Sequence, residues 1–159
     1  MPNFNAILDK KMDTIEKPKL VPPGTYKGMV TKVPSIERSP DGKWDFLDFN
    51  LRLTEAGSDV DEAALASYGG LGSHSNMRRR FLFNTGDTTE DKAGFDRTQY
   101  DVKRFLVDHL KCAKEDTSLK EGLNNSVNQS CMVVVKWRAD KQDPDIMYSE
   151  INKTTAIAE

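Results

Sequence analysis

Cysteine is scarce in this chain, and no stretch of it is apolar enough to enter a membrane. Only two cysteines occur among 159 residues, Cys112 and Cys131, and neither belongs to a Cys-x-x-Cys pair. This usage is typical of a reducing compartment, in which both thiols pack as small apolar side chains, and nothing in the sequence favours a disulfide between them. No apolar run approaches the ~20 residues of a membrane span, and no segment resembles a signal peptide. We therefore expect an intracellular protein with no membrane partner.

An excess of charge of one sign is also missing. The formal net charge is −2, although 30% of the residues are charged. A duplex-binding protein that relies on bulk positive charge is therefore not expected, whereas basic residues gathered on one surface could still meet phosphates. At 159 residues the chain is long enough for a single domain with its own core.

The residue patterns of metal-dependent and covalent catalysis are absent. The two histidines, His74 and His109, are far apart and lack a neighbouring carboxylate motif, so a zinc site is not expected. No Gly-x-Ser-x-Gly, phosphate-loop or deaminase motif occurs. Asp45 and Asp48 of one predicted strand fall on opposite faces and cannot share a metal ion. We expect a binding protein rather than an enzyme, with no catalytic residue, no cofactor and no metal site.

The clearest pattern lies between Trp44 and Thr54, where polar and apolar residues alternate with the period of a β-strand. One face carries apolar side chains that can fill a core: Leu47, Phe49, Leu51 and Leu53. The other face carries two aromatics, an acid, an amide and an arginine: Trp44, Phe46, Asp48, Asn50 and Arg52. A flat surface of this composition can stack bases and hold phosphates. Alternatively, Trp44 and Phe46 pack beneath a loop or a partner subunit.

Five strands and one long helix are predicted in total. The predicted strands span residues 25–33, 44–54, 78–84, 130–139 and 146–156. The loop 34–43 carries a turn signal at Pro40-Asp41-Gly42, and Gly28 predicts a bulge in the first strand. Thr98 and Asp101 form a capping-box pattern that begins a helix over 98–114, whereas 84–97 is expected to be loop. In the third strand, Phe81 and Phe83 are expected to face the core, with Arg80 and Leu82 on the outer face; alternatively, the two phenylalanines belong to the binding surface.

Two further segments flank or interrupt these strands. Residues 55–77 form an acidic and glycine-rich insertion, with a short helix predicted from Ser58 to Ser67 and Ser58 as its N-cap. Residues 1–20 form an N-terminal helical arm with apolar side chains at helical spacing: Phe4, Ile7, Leu8, Met12 and Ile15. The arm either packs on the domain that follows, 21–159, or docks on a partner.

The order strand, strand, strand, helix, strand, strand is that of the OB-fold. We therefore predict a mainly β chain: a five-stranded OB-fold-like Greek-key barrel with one helix between strands 3 and 4, plus the N-terminal helix and the insertion between strands 2 and 3. OB-folds bind ligands across strands 2 and 3. The residues predicted to bind nucleic acid lie on these strands or near the last loop: Trp44, Phe46, Asn50, Arg52, Arg78, Arg80, Lys136, Trp137, Arg138 and Tyr148.

Several segments also resemble one protein family. PPGTYKGMVTKV, KWDFLDFNLRL, RRRFLFN, LVDHLKC and MVVVKW followed by EINKT look like bacteriophage single-stranded-DNA-binding proteins, in particular small phage proteins encoded among replication and recombination genes. The resemblance covers about residues 20–157. It implies sequence-tolerant binding of single-stranded DNA in phage replication or recombination, in the cytoplasm of the infected bacterium. Better-known relatives end in an acidic tail that recruits partners, whereas this chain ends in TTAIAE.

The expected partners are single-stranded DNA, replication or recombination proteins, and further copies of the chain. A second hypothesis is a virion or assembly protein that uses the same barrel face as a protein–protein interface. Fold alone does not decide between them, because barrels of this kind serve many functions.

Overall fold

The computed structural model of the protein describes residues 4–15 and 17–157. Within these ranges the chain is mainly β, with six strands and four α-helices. The strands are β1 (Gly24–Val30), β2 (Ser35–Arg38), β3 (Trp44–Ala56), β4 (Asn76–Asn84), β5 (Ser130–Ala139) and β6 (Met147–Thr155). The helices are α1 (Phe4–Leu8), α2 (Glu62–Tyr68), α3 (Thr89–Arg104) and α4 (Leu119–Asn125).

The six strands form one antiparallel sheet whose centre is β3. One edge of β3 pairs with β2 near its start and with β1 near its end, while the other edge pairs with β4. β1 pairs in turn with β5, and β5 with β6. The sheet is open: in the described part of the chain, β4 and β6 approach each other but are not joined by a hydrogen-bond ladder.

The predicted count of five strands is wrong because the segment 34–43 contains β2. All four side chains of β2 are exposed, so no alternation of buried and exposed positions marks it in the sequence. It is held by its ladder with β3, in which Ile36 lies opposite Leu47. The turn that follows is the predicted one, with Gly42 at a φ of +73° donating its N–H to the carbonyl of Ser39.

The core lies on the inner face of the sheet, and the alternation predicted for β3 is confirmed. Its apolar face is buried: Leu47, Phe49, Leu51 and Leu53. Phe49 packs edge-on against Phe81 and Phe105, with ring centroids 5.8 and 4.8 Å away. Phe81 is buried as predicted, whereas Phe83 is only half-buried. The predicted bulge is present, since the register of β1 against β3 shifts at Gly28.

The start of the long helix differs from the prediction. α3 begins at Thr89, inside the segment 84–97 that was expected to be loop, and its capping box is formed by Thr88 and Asp91. Thr98 instead donates its hydroxyl to the carbonyl of Leu82, 2.7 Å away. The first turns of α3 contain few apolar residues, so they carry no helical stripe for a sequence pattern to reveal. After Arg104 the helix widens into a π-helical turn, Phe105–His109.

The insertion and the N-terminal arm also differ in detail from expectation. α2 begins at Glu62, with Asp61 rather than Ser58 as its N-cap. In the described part of the arm, α1 is followed by a single 3-10 turn, and the apolar side chains of Ile7, Leu8, Met12 and Ile15 are exposed rather than packed on the domain. Residues 1–3, 16, 158 and 159 of the predicted units lie outside the described residues.

Candidate nucleic-acid interface

Two neighbouring strands, β3 and β4, present their outward side chains on one surface. Phe46 lies opposite Leu82 in the ladder, and Asp48 lies opposite Arg80. Directly opposed residues of antiparallel strands point to the same side of the sheet, so the two rows form one surface. We call it the β3–β4 face, and it consists of Trp44, Phe46, Asp48, Asn50 and Arg52 from β3 with Asn76, Arg78, Arg80, Leu82 and Asn84 from β4.

The face has an apolar end and a cationic end. Trp44 is 36% exposed and Leu82 is 46% exposed, and Phe46, which lies opposite Leu82, is half-buried. Arg78 and Arg52 lie toward the other end. A base could therefore stack at the apolar end while its backbone runs toward the arginines.

Arg80 is held in the middle of the face by two contacts. Its Nε and Nη2 donate to the Asp48 carboxylate at 2.7 and 2.9 Å, and its guanidinium lies 4.3 Å from the centroid of the Phe46 ring. The hydrogen bonds from Arg80 lower the pKa of Asp48, and Asp48 in turn raises the pKa of Arg80. The charge of Arg80 is therefore neutralised within the protein, and one side of Phe46 is covered by its guanidinium.

The remaining polar residues of the face differ in how many hydrogen bonds and ion pairs they make within the protein. Asn50 donates its side-chain amide to the Thr31 hydroxyl at 2.6 Å and to the Asn76 oxygen at 3.3 Å. Arg52 is half-buried, and its Nε has no hydrogen-bond partner among the described residues. Arg78 is exposed and makes no ion pair within the described chain.

The predicted residues of β5 and β6 form a second polar surface on the outward side of that hairpin. Arg138 pairs with Glu150 at 2.9 Å and lies 5.4 Å from the ring centroid of Tyr148. Tyr148 donates its hydroxyl to Asp140 at 3.0 Å. Lys136 is exposed and lies opposite Glu150 in the ladder. Most of the positive charge of Arg138 is thus matched locally.

Trp137 is not brought to the same surface as its neighbours in sequence. It follows the core-facing row of β5 and donates its indole N–H to the carbonyl of Val21, 2.7 Å away. Its ring lines an apolar groove together with Leu20, Ile146 and Met147. The structure therefore separates Trp137 from the β3–β4 face.

The open seam of the sheet brings several other predicted residues together. A cleft of about 650 Å³ lies between β4 and β6, and we call it the β4–β6 cleft. Its lining contains four of the predicted binding residues, Arg78, Arg80, Arg138 and Tyr148, although they come from strands far apart in the sequence. Arg78 and Arg80 therefore belong both to the β3–β4 face and to the cleft.

Two cationic residues of this cleft, Arg79 and Lys19, are missing from the sequence-based prediction. Arg79 lies opposite Phe49 and so takes the core-facing row of β4, with its guanidinium 4.4 Å from the centroid of the Phe81 ring. Burial lowers the pKa of Arg79, although Asp101 opposes this shift. A signal was available: in a strand, the middle one of three consecutive arginines must point to the side opposite its neighbours.

The structure also shows the metal-ligating groups, thiols and helices of the described residues. No group of three or more His, Cys, Asp or Glu side chains there is arranged to hold a metal ion. Both cysteines are free thiols, and burial raises the pKa of Cys131 to about 12. None of the described helices is long and apolar enough to cross a membrane.

The fold and the face together define a class: an antiparallel β domain with an open sheet, an aromatic and arginine-bearing outer face and a cationic seam. Comparison with known proteins does not narrow this class, because no protein-family model matches the chain and no curated protein matches it significantly.

Proposed function

We propose that the protein binds single-stranded DNA with little dependence on base sequence, as an accessory protein of phage DNA replication or recombination in the cytoplasm of an infected bacterium. The observation that carries this proposal is the β3–β4 face, where exposed Trp44 and half-buried Phe46 lie on the same surface as Arg78 and Arg80. Aromatic rings beside cations on a flat sheet are the elements of single-strand recognition.

The proposal includes an OB-like origin for the sheet. With the short β2 set aside, β1 lies between β3 and β5, β4 lies outside β3, and β6 lies outside β5. α3 falls between β4 and β5 in the chain. This connectivity is what an OB barrel would have if its last seam, between β4 and β6, were left open. The β3–β4 face would then correspond to the ligand surface of such a barrel.

Base stacking would supply the affinity at the apolar end of the face. Trp44 offers its exposed ring, and the half-buried ring of Phe46 lies on the same surface with the Arg80 guanidinium over one side. Stacking of one base on an aromatic side chain contributes about 1–3 kcal/mol. Because every base has a flat π surface, this contribution does not distinguish sequences.

Sequence tolerance is also supported by the state of Asn50. An asparagine on a binding surface could read the edge of a base through its amide. Here the Nδ2 group already donates to Thr31 and Asn76. Reading a base edge with these donors would require breaking contacts within the protein, so Asn50 is better placed to support the surface than to select a base.

The test is the binding of a fluorescein-labelled oligo-thymidine, followed by anisotropy at low and moderate salt with unlabelled duplex as competitor. We expect salt-sensitive binding that duplex does not displace, and a loss of about 5- to 150-fold for Trp44→Ala, which corresponds to 1–3 kcal/mol. Tyr100→Ala is the matched control, because Tyr100 is 58% exposed on α3, whereas the face is formed by β3 and β4. Absence of binding at low salt, or equal losses for the two variants, contradicts the proposal. Degradation of the oligonucleotide on addition of a divalent cation would indicate an enzyme instead.

A second candidate function is assembly through a protein interface, and a separate observation favours it. The groove lined by Trp137, Ile146 and Met147 is apolar, and all three side chains are more than a third exposed. Ile7 and Leu8 of the arm are exposed as well. Light scattering distinguishes the two functions: a virion or assembly protein should form a defined oligomer and show no affinity for oligo-thymidine.

A further inference from the structure

The β4–β6 cleft contains more positive charge than the protein itself neutralises. Among the described residues, its lining includes five cationic residues, Lys19, Arg78, Arg79, Arg80 and Arg138, and one carboxylate residue, Glu150. Arg80 is paired with Asp48, and Arg138 is paired with Glu150. The other three cations have no ion-pair partner among the described residues.

Arg79 is the unusual member of this group because it is desolvated as well as unpaired. Its Nε is buried and has no hydrogen-bond partner within the described chain, and its Nη1 makes one long hydrogen bond, to the Arg80 carbonyl at 3.4 Å. The carboxylate of Asp101 influences it electrostatically but lies beyond ion-pair distance. A buried charged donor without an acceptor is costly to a protein, so its persistence in a cleft indicates an acceptor that comes from outside.

The surroundings of Arg79 indicate what that acceptor is. Arg78 projects from the outward side of the same strand, whereas Lys19 comes from the segment before β1 and is held at the Ser67 carbonyl and hydroxyl at 3.0 and 3.1 Å. Cations that come from separate directions suit a tetrahedral anion with several acceptor oxygens better than a planar carboxylate, which one guanidinium can satisfy alone. The polar lining of the cleft leaves room for such a group.

We propose that the β4–β6 cleft is a phosphate site, in which Arg79 is the anchoring residue and Arg78 and Lys19 complete the charge. The inference rests on the proposed function, in which the phosphate belongs to the backbone of the bound single strand. Leu82 lies opposite Phe46, and Arg78 lies four residues away from it along β4. This separation is about 13 Å at the rise of a β-strand. A single DNA strand whose bases stack at the apolar end of the β3–β4 face would therefore reach the cleft by running along β4.

The first measurement concerns the free protein and separates a ligand site from a structural role. Arg79→Met keeps an aliphatic side chain against the Phe81 ring and removes the unpaired charge, so its melting temperature should equal or exceed that of the wild type. Arg79→Lys keeps the charge but loses the planar fork. Arg97→Met is the matched control, because Arg97 is exposed on α3. A melting temperature several degrees lower for Arg79→Met than for Arg97→Met would mean that Arg79 stabilises the fold, and it would overturn the inference.

The second measurement uses inorganic phosphate against chloride at equal ionic strength. Phosphate should raise the melting temperature of the wild type and of Arg97→Met, leave Arg79→Met unchanged and act more weakly on Arg79→Lys. Equal stabilisation of all four proteins, or none of any, overturns the site. Trp44→Ala should respond to phosphate as the wild type does, since it alters the β3–β4 face and not the cleft.

The third measurement identifies the source of the phosphate, with oligo-thymidines that carry either a 5′-hydroxyl or a 5′-phosphate. For an internal phosphodiester, Arg79→Met should weaken both oligonucleotides about tenfold and reduce the slope of log K against log salt by about 0.7. A loss confined to the 5′-phosphorylated form assigns the cleft to a terminal phosphate. If the wild type responds to phosphate through Arg79 but binds neither oligonucleotide, the phosphate site stands and the proposed function fails. If both oligonucleotides bind and Arg79→Met weakens neither, the site fails and the proposed function stands.

Discussion

The ion pair between Asp48 and Arg80 should limit the affinity of the protein for single-stranded DNA. While the pair is intact, Arg80 donates to Asp48 at 2.7 and 2.9 Å and brings no net charge to a bound phosphate. Asp48→Asn keeps the shape of the side chain and one acceptor oxygen, but it removes the opposing charge. We therefore predict that Asp48→Asn binds single-stranded DNA more tightly than the wild type, although it removes an ion pair from the fold.

The expected size of the effect follows from the geometry. The Arg80 side chain is 28% exposed, so part of the free energy of a charge-assisted hydrogen bond to phosphate is screened. We estimate a gain of about 1.4 kcal/mol, or roughly tenfold in affinity at low salt, and a salt slope that is steeper by about 0.7 for one added phosphate contact. The Asp48 side chain is only 13% exposed, so the variant should lose about 1–2 kcal/mol of unfolding free energy.

The assay is oligo-thymidine anisotropy across a series of salt concentrations, with urea denaturation of the same protein samples. Asp45→Asn is the matched control, because it also removes one negative charge. Asp45 pairs with Arg38 at 3.0 Å, on the side of β3 opposite to Asp48, so this variant releases Arg38 rather than Arg80. If Asp45→Asn steepens the salt slope as much as Asp48→Asn does, the effect comes from bulk charge. If Asp48→Asn leaves the slope unchanged or weakens binding, Arg80 does not meet a phosphate and the reasoning is refuted.

Two further predictions concern stability. Trp137→Phe removes the hydrogen bond to the Val21 carbonyl and should lower the unfolding free energy, measured in urea, by about 1 kcal/mol. Its affinity for oligo-thymidine should stay within twofold of the wild type. A large loss of affinity would instead place Trp137 in the interface. Hydrogen bonds from Thr88 and Asn84 hold the pKa of Asp91 below its usual value, so its contribution is complete above about pH 4 and is lost as the pH falls through the lowered pKa. Denaturation curves between pH 7 and pH 2.5 should accordingly show a smaller acid loss for Asp91→Ala than for the wild type, and parallel curves would contradict this.

Features with a strong local signal were predictable from the sequence. The alternation from Trp44 to Thr54 identifies β3 and its buried row, because every second residue of a strand points to the same side. The turn at Gly42 follows from residue types that take unusual backbone angles at little cost. The bounds of β5 coincide with the predicted span 130–139, since a short, nearly continuous apolar run between polar segments is typical of a buried strand.

Features that depend on distant partners were not predictable. β2 forms because its backbone pairs with β3, and the first turns of α3 are helical although their own sequence is largely polar. The engagement of Arg80 by Asp48 joins residues 32 positions apart in the chain. The sequence predicted that both would face outward, but it did not show that the two charges neutralise each other.

The sequence by itself determined the mainly β character of this protein, the buried row of its central strand and the presence of aromatic and basic residues on the row opposite. These follow from periodicity and residue chemistry, which act over a few positions. Only the tertiary structure decided that the sheet stays open, that Trp137 lies apart from Trp44, and that Lys19 and Arg79 both line the cleft between β4 and β6. Such juxtapositions depend on how strands pair across long stretches of chain, and pairing is set by the packing of the whole core rather than by any segment of it.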